Sequence, residues 1–366
     1  MIRVLAVYPS FDPAMNEMAS VWSALAKSGR VHCTVVARRH DVLKGFDSDA
    51  TEEHAENLTI HRFGAIRICG ELRAIAREAK PDLIFCAVAH NLPVAHDLAR
   101  AVRKPVVLHT EYFLDDAYLV RRRFHFGVAI LRHAEAEIYR HRLLRSTSMV
   151  LSSDPMEFRD RARDQPGTVR YLPWPYYGKV QPTEYIDREK TVSAFIGSLS
   201  RIKGAVDLAA FWREAFAQLP RFTLTVIGVP VDGAGLRAMD EFHSLQRAGS
   251  VVVQSRCSRE GAEELIKKGL FVFSPGKTFG WGFILDAWRT GTVVVTRSPH
   301  FDLVPGENCL LARSATELVG CIRILQADEQ LWKRLQAGGL RTLEQHSVEN
   351  VANLLFASLG DAMAKR

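Results

Sequence analysis

The sequence predicts an α/β protein with two doubly wound domains, on three observations. The chain has 366 residues, which is more than one ordinary hydrophobic core needs and enough for two α/β domains. Short apolar strands alternate with amphipathic helices, a pattern typical of parallel sheets covered on both faces. The alternation stops near residue 175 and begins again near residue 192. We therefore expect two separate rounds of βα units.

The first round begins with a buried strand at 2–8 and a helix at Glu17–Lys27, which ends before Gly29. Further strands are expected at 32–37, 58–63, 82–87, 105–109, 149–152 and within 167–175, and further helices at 66–79, 92–102 and about 117–145. The second round has expected strands at 192–197, 223–228, 250–254, 270–273 and 292–296, and helices at 205–217, 259–268, 283–290, 316–327, 328–337 and 347–364. We interpret the segment at 174–187, which is rich in Pro, Tyr and Gly, as the linker between the two domains. The expected domains are 1–180 and 181–345, and the helix in 346–366 is expected to pack back toward the first domain.

Composition excludes several classes of protein. Hydrophobic residues make up 47% and charged residues 24%, as in a globular protein, and no apolar run is long enough to span a membrane. The N-terminus has no signal-peptide pattern, and the six cysteines form no CxxC pair, so we expect a cytoplasmic protein without a zinc or other metal site. Lysine and arginine number 48 against 41 acidic residues, a mild excess that suits nucleotide phosphates, an anionic acceptor or an anionic membrane surface. No nucleic-acid motif is present, so nucleic acid is not an expected partner.

The first informative motif follows the strand that ends at Gly197. A polar loop leads through Lys203 and Gly204 into a helix. A strand, a loop with a cation and a helix N-terminus together make an anion site, where Lys203 would stabilise a departing diphosphate. The alternative is a solvated lysine at an ordinary helix start.

The second motif is a glycine-rich loop after the strand at 270–273. Gly276, Gly280 and Gly282 permit close backbone approach to a ligand. The helix that follows contains Asp286, a carboxylate that can accept hydrogen bonds from vicinal sugar hydroxyls. The alternative is a tight turn with a solvated acid.

Together these stretches resemble glycosyltransferase family 4, the retaining enzymes also called glycosyl transferases group 1. The matching runs are Gly197-Ser-Leu with Lys203-Gly204, Asp286-Ala with Gly291-Thr-Val-Val, Gly306-Glu-Asn-Cys-Leu-Leu, the strand at 223–228 and Leu172-Pro-Trp-Pro-Tyr-Tyr-Gly. The resemblance covers most of 147–360. In the N-terminal half, the resemblance rests on the order of the strands and helices more than on individual residues. It implies the GT-B fold, in which two Rossmann-like domains face a cleft.

The resemblance implies roles for individual residues, and the chain departs from the family at some of them. The family's diphosphate-binding arginine falls on Ser198, which leaves Lys203 and Arg201 as the clamp. Its ribose-binding glutamate falls on Asp286, and its sugar-contacting glutamate falls on Thr278 or its neighbours. The full expected donor site comprises Gly197, Ser198, Arg201, Arg256, Gly276, Lys277, Thr278, Phe279, Gly280, Gly282 and Asp286.

In the N-terminal half, the strand at 105–109 looks like the one that ends in the family's active-site histidine. Alignment puts Glu111 at that position and His109 two residues earlier. Both are therefore catalytic candidates, in addition to Lys203. Asn16 and His90 follow other strands and are candidates on the acceptor side. A structural role is the alternative for each histidine.

Two further signals are weaker. The stretch 121–145 is rich in arginine with apolar residues at helical spacing. It is either a solvated basic face or a peripheral contact with the inner face of a membrane. The run Asp47-Ser48-Asp49 spells a metal-binding DxD motif but is expected to lie in an early polar loop.

The resemblance implies a retaining, hexosyltransferase-like enzyme of polysaccharide biosynthesis that needs neither cofactor nor metal. It would move a sugar from a nucleoside diphosphate donor to a hydroxyl of a glycan or lipid-linked acceptor. Two alternatives remain at this stage. One is a sugar-nucleotide epimerase of the same fold, and the other is a degenerate subunit that binds without turnover.

Overall fold

The structure is a computed structural model that divides into two compact units. Unit 1 comprises Met1–Pro175 with Val348–Arg366, and unit 2 comprises Tyr176–Ser347. The structure describes the whole chain except residues 13–16, 42–45, 89–90, 111–144, 156–157, 160–161, 163–167, 177, 186–188, 202, 220, 255–256, 277–280, 301 and 365–366. The expected helix at about 117–145 therefore lies almost wholly outside the described residues.

Unit 1 is built on an eight-stranded sheet with the order β10-β9-β8-β7-β1-β2-β6-β5. Its pairs are parallel except for the β5–β6 hairpin at one edge. The strands of this unit, including the small β3–β4 pair, are β1 Ile2–Val7, β2 Val31–Arg38, β3 His40–Asp41, β4 Phe46–Asp47, β5 Glu52–Ala55, β6 Leu58–Phe63, β7 Leu83–Ala87, β8 Val106–Thr110, β9 Met149–Ser152 and β10 Val169–Tyr171. From β1 the chain runs outward through β2 and then returns to β7. The strand order therefore reverses between β1 and β7.

The helices that the structure describes in unit 1 are α1 Glu17–Lys27, α2 Gly70–Ala79, α3 Leu92–Val102 and the C-terminal helix, α10 Val348–Ala364. Helix α10 packs on α1. Arg30 donates to the side chain of Asn353 and lies 5.8 Å from the ring centre of Phe356. Arg170 pairs with Asp361 at 2.6 Å. The last helix of the chain is thus part of the first unit.

Unit 2 has a six-stranded parallel sheet with the order β13-β12-β11-β14-β15-β16. Its strands are β11 Glu189–Leu199, β12 Thr223–Pro230, β13 Val251–Gln254, β14 Gly269–Ser274, β15 Val293–Thr296 and β16 Cys309–Leu311. Its helices are α4 Ala205–Phe216, α5 Gly233–Arg247, α6 Arg259–Lys268, α7 Trp281–Arg289, α8 Ala315–Ala327 and α9 Glu329–Gln345. Here the strand order reverses between the neighbours β11 and β14, and open parallel sheets bind ligands at such reversals.

The core of unit 2 explains why these segments fold as they do. Trp212 and Trp332 are completely buried, and their indole N–H groups donate to backbone carbonyls of Ser250 and Leu270. Every residue of β14 and β15 is buried, as expected for central parallel strands. The predicted α/β class with two Rossmann-like units is confirmed.

Some predictions of local structure were wrong. The run Gly233-Ala-Gly235 has the composition of a glycine-rich turn, but it begins the helix α5. Asp47 lies in the short strand β4 and contacts His40, so the DxD run is not simply a loop. Within the described residues, no cluster of three His, Cys, Asp or Glu side chains is placed to hold a metal ion. No described helix has the length and apolar character needed to cross a membrane.

Candidate functional site

The loop after β11 forms one wall of the candidate site in unit 2. Its backbone makes two tight turns, in which Gly204 N donates to Arg201 O at 3.1 Å and Ala205 N donates to Ser200 O at 3.1 Å. The backbone N–H of Lys203 donates to the Ser200 hydroxyl at 3.3 Å. These bonds place the half-buried Lys203 two residues before helix α4, at the reversal between β11 and β14.

The Asp232 carboxylate holds the backbone of this loop in place. Sequence reasoning did not identify this residue. The buried carboxylate accepts from Gly235 N at 2.6 Å and thereby caps α5, and it also accepts from Arg201 N at 3.0 Å. The signal was present in the sequence, because an aspartate before Gly233 is a favourable N-cap. The exposed Arg201 is therefore anchored through its backbone.

The loop after β14 meets the loop after β11 at Gly204. A Cβ at Gly204 would stand 2.8 Å from the carbonyl oxygen of Pro275 and 3.0 Å from the backbone nitrogen of Gly276. Only a residue without a side chain permits this approach. The two loops that the motifs identified thus lie in contact, at the carboxyl ends of adjacent strands.

Asp286 lies on α7 and belongs to an ion-pair cluster with Arg289 and Glu263. Arg289 is almost fully buried, and its guanidinium contacts Asp286 Oδ1 at 3.3 Å and also the Glu263 carboxylate. The same guanidinium donates to the carbonyl of Lys179 at 2.9 Å. Sequence reasoning missed Arg289 and Glu263. Their meeting depends on how α6 packs against α7, which no local pattern reveals.

The N-terminus of α7 is supported by a buried aromatic cluster that sequence reasoning also missed. The Trp281 ring lies 5.2 Å from the His300 ring and 4.9 Å from the His346 ring. Burial, and next the neighbouring His346, lower the pKa of His300 to about 3. His300 is therefore neutral at physiological pH, and the cluster behaves as an apolar support.

The other expected donor residues in unit 2 are placed as follows. Gly197 and Ser198 occupy the end of β11, in register with Gly228 and Val229 of β12. Gly276 directly follows Pro275, and Gly282 is the second residue of α7. The remaining five expected donor residues lie outside the described residues: Arg256, Lys277, Thr278, Phe279 and Gly280.

In unit 1, His109 lies near the carboxyl end of β8 and is buried, with 2% of its surface exposed. Its ring stacks between Phe85 and Trp174, with centres 6.1 Å from each. Its Nε2 is 2.9 Å from the Ser153 hydroxyl, and that hydroxyl donates its only proton to Leu172 O at 2.7 Å. The Nε2 atom must therefore be the donor to Ser153. Burial lowers the pKa of His109 to about 4, so the ring is neutral.

This environment is that of a packed, hydrogen-bonded structural histidine. It favours a positioning role for His109 over direct proton transfer. Glu111, Asn16 and His90 lie outside the described residues.

Comparison with known proteins gives a clear result for the fold alone. No protein-family model matches the chain, and no curated protein matches it in sequence. Among solved structures, sucrose-phosphate synthase from Thermosynechococcus elongatus superposes with a TM-score of 0.75 at 17% identity, covering 100% of both chains. Anabaena HepE in complex with UDP and glucose gives 0.68 at 15% identity, covering 99% of this chain and 100% of that one. The α,α-trehalose-phosphate synthase (UDP-forming) of Burkholderia vietnamiensis gives 0.72 at 13% identity, covering 100% and 98%. The fold is that of these GT-B proteins.

Proposed function

We propose that this protein is a retaining, metal-independent glycosyltransferase, which transfers a sugar from a nucleoside diphosphate donor to a hydroxyl of a glycan or lipid-linked acceptor. The observation that carries the proposal is the contact between the Lys203 loop and the Pro275–Gly276 loop at the strand reversal of unit 2. Three proteins with this fold are a sucrose-phosphate synthase, HepE in complex with UDP and glucose, and a UDP-forming α,α-trehalose-phosphate synthase. This likeness supports the same class of substrate here.

Each part of the site has a chemical role in this proposal. Lys203 stabilises the negative charge that develops on the departing diphosphate, an electrostatic contribution that is often the largest in catalysis. The N-termini of α4 and α7 add partial positive charge at the same edge of the sheet. Asp286 accepts hydrogen bonds from the ribose hydroxyls, and Arg289 fixes the direction of that carboxylate.

The experiment begins with thermal unfolding in EDTA with UDP-, GDP-, ADP- and dTDP-sugars. A rise of several degrees with one base identifies the donor, since a ligand stabilises the state that binds it. Hydrolysis and transfer are then measured with that donor, and NMR gives the anomeric configuration of the product. A product with inverted configuration, or activity that is restored only by a divalent metal, contradicts the corresponding part of the proposal.

The matched variants are Lys203→Ala and Lys268→Ala. Both remove one lysine charge from unit 2, but Lys268 is exposed and ends α6, on the side of the sheet where β14 begins. We expect at least about a tenfold loss of transfer for Lys203→Ala and none for Lys268→Ala. Equal activities would remove Lys203 from the mechanism. Donor binding without turnover would favour the degenerate-subunit alternative, for which the departures at Ser198 and Thr278 are the motivation.

A further inference from the structure

We propose that Arg297 is a positioning residue of the donor site in unit 2, where it holds the first turn of helix α4 against the Pro275–Gly276 loop. This role rests on the proposed function of that site. Arg297 directly follows β15, which ends at Thr296. Since the strands of this sheet are parallel, Arg297 lies at the same edge as the loops after β11 and β14.

The backbone of Arg297 is fixed beside the start of the Pro275–Gly276 loop. Its N–H donates to the carbonyl of Ser274 at 3.0 Å, which continues the pairing of β15 with β14. Ser274 is the last residue of β14 and directly precedes Pro275. The side chain of Arg297 therefore begins next to that loop, on the side away from β11.

The side chain of Arg297 reaches across the end of β14 to helix α4, which follows β11. Its guanidinium donates to the carboxylate of Asp207 and lies 5.3 Å from the ring centre of Phe211. Asp207 is in the first turn of α4, and Phe211 is four residues further along the same helix face. Because β14 lies between β15 and β11 in the sheet, the contact joins elements on both sides of the Pro275–Gly276 loop.

Phe211 also contacts the end of β14. Its ring stacks on the ring of Phe273, with centres 6.3 Å apart and planes 27° apart. Phe273 is fully buried and precedes Ser274, whose carbonyl accepts from Arg297. The start of α4, the end of β14 and Arg297 therefore form one connected group immediately before Pro275.

The contribution of the pair between Arg297 and Asp207 is one of position more than of stability. Their side chains are 29% and 50% exposed, and solvent screens such pairs. Asp207 lies three residues after Gly204, about 4.5 Å along the helix axis at 1.5 Å per residue. A shift of Asp207 therefore moves the first turn of α4 and Lys203 with it. In the proposed function, these are the groups that bind the diphosphate.

The pair between Arg213 and Glu241 provides an internal control. It joins α4 to α5 at 2.9 Å, and its side chains are 59% and 34% exposed. Arg213 lies in the last turn of α4, whereas Asp207 lies in the first. The two pairs thus have the same helix and the same kinds of charge in common, but only the pair of Arg297 lies next to the ligand loops.

The test uses the full-length protein in two matched sets of variants. The first set is Arg297→Gln, Asp207→Asn and the double variant. The second set is Arg213→Gln, Glu241→Gln and the double variant. Arg297→Lys is added to the first set, since it keeps a cation near Asp207. Thermal unfolding and circular dichroism verify that each variant is folded.

Two measurements are made on every variant. The first is amide hydrogen exchange, followed by NMR, of the two turns before α4, where Gly204 N donates to Arg201 O and Ala205 N donates to Ser200 O. It requires no ligand and is therefore independent of the proposed function. The second is calorimetric affinity for whichever UDP-, GDP-, ADP- or dTDP-sugar gives the largest thermal shift with the wild type.

We expect Arg297→Gln and Asp207→Asn each to speed exchange of these amides at least about threefold and to weaken donor binding at least about threefold. The double variant should be no worse than either single variant, because both act through one contact. Arg297→Lys should recover most of the loss. All three variants of the control set should keep wild-type exchange and affinity.

Several results would overturn the proposal. These are wild-type exchange in the first set, equal changes in both sets, and faster exchange with wild-type donor affinity. Weaker binding in Arg297→Gln alone would also overturn it, because Arg297 would then contact the donor without acting through Asp207. If the wild type binds no sugar nucleotide, the proposed function fails. The exchange measurement then decides separately whether Arg297 positions the loop.

Discussion

Gly204 and Pro275 hold the two candidate ligand loops of unit 2 together. Gly204 has a left-handed backbone with φ of 76°, and a Cβ there would lie 2.8 Å from the Pro275 carbonyl oxygen. The contact joins the segment that follows β11 to the segment that follows β14. It thereby fixes the position of Lys203 relative to Gly276.

Gly204→Ala is therefore expected to separate the two loops. The left-handed backbone costs an alanine about 1 kcal/mol, and the clash with Pro275 adds about 1–3 kcal/mol, since neither backbone segment can move freely. Gly249→Ala is the control, because Gly249 has φ of 79° but nothing within 4 Å of its would-be Cβ. Chemical unfolding should show a larger loss for Gly204→Ala, and donor-induced thermal stabilisation should fall in that variant alone. Equal effects on both measurements would mean that the contact with Pro275 is unimportant.

Asp232 provides a second test of how the Lys203 loop is held. Asp232→Ala removes the N-cap of α5, which costs about 1 kcal/mol, and leaves the Arg201 N–H without its acceptor, which costs about 1–3 kcal/mol more. Ser314→Ala removes an N-cap of α8 whose hydroxyl accepts from Glu317 N, outside both ligand loops, and about 1 kcal/mol is expected there. Asp232→Asn keeps an acceptor and should restore most of the stability. Donor affinity measured by calorimetry should fall only in Asp232→Ala, and a fall in Ser314→Ala of the same size would contradict this assignment.

The sequence was sufficient for most of the fold because its strands are short, apolar and clearly separated by helices. The prediction of local structure was wrong at α5, because Gly233 and Gly235 look like turn residues. Gly235 is required there because a Cβ would stand 2.2 Å from Leu199 O, a reason that exists only once α5 packs against the end of β11. The same limit applies to the site. Lys203 and Asp286 are identified by motif spacing, whereas Asp232 and Arg289 act through contacts between distant segments.

The stability of the region around Asp286 is expected to depend strongly on Arg289. Arg289→Met removes the cation from two partly buried carboxylates and from the Lys179 carbonyl, so the free energy of unfolding should fall by about 3–5 kcal/mol. Arg289→Lys should not restore it, since an ammonium lacks the planar fork that reaches several acceptors. Arg213→Met breaks an exposed pair with Glu241 and should cost no more than about 1 kcal/mol. Similar losses in the two methionine variants, measured by urea unfolding, would show that the buried cluster contributes little.

His109 gives a prediction about pH. Its pKa is about 4 in the folded protein against 6.5 for an ordinary imidazole, so between these values the unfolded chain binds more protons. The stability associated with the neutral ring is fully present above pH 6.5 and decreases as the pH falls toward 4. From pH 7.5 to pH 5 the loss is about 2 kcal/mol, because the slope approaches 1.36 kcal/mol per pH unit between the two pKa values.

The variant His109→Gln should remove that part of the pH dependence. Urea unfolding at pH 7.5 and pH 5.0 should show a wild-type decrease that is larger than the variant's by about 2 kcal/mol. His300, whose pKa is also lowered, contributes equally to both proteins and cancels in the difference. His243→Gln, which replaces an exposed imidazole, should behave like the wild type. If His109→Gln keeps the full wild-type pH dependence, the pKa of His109 is the same in the folded and unfolded chain, and a role in proton transfer would again be favoured over positioning.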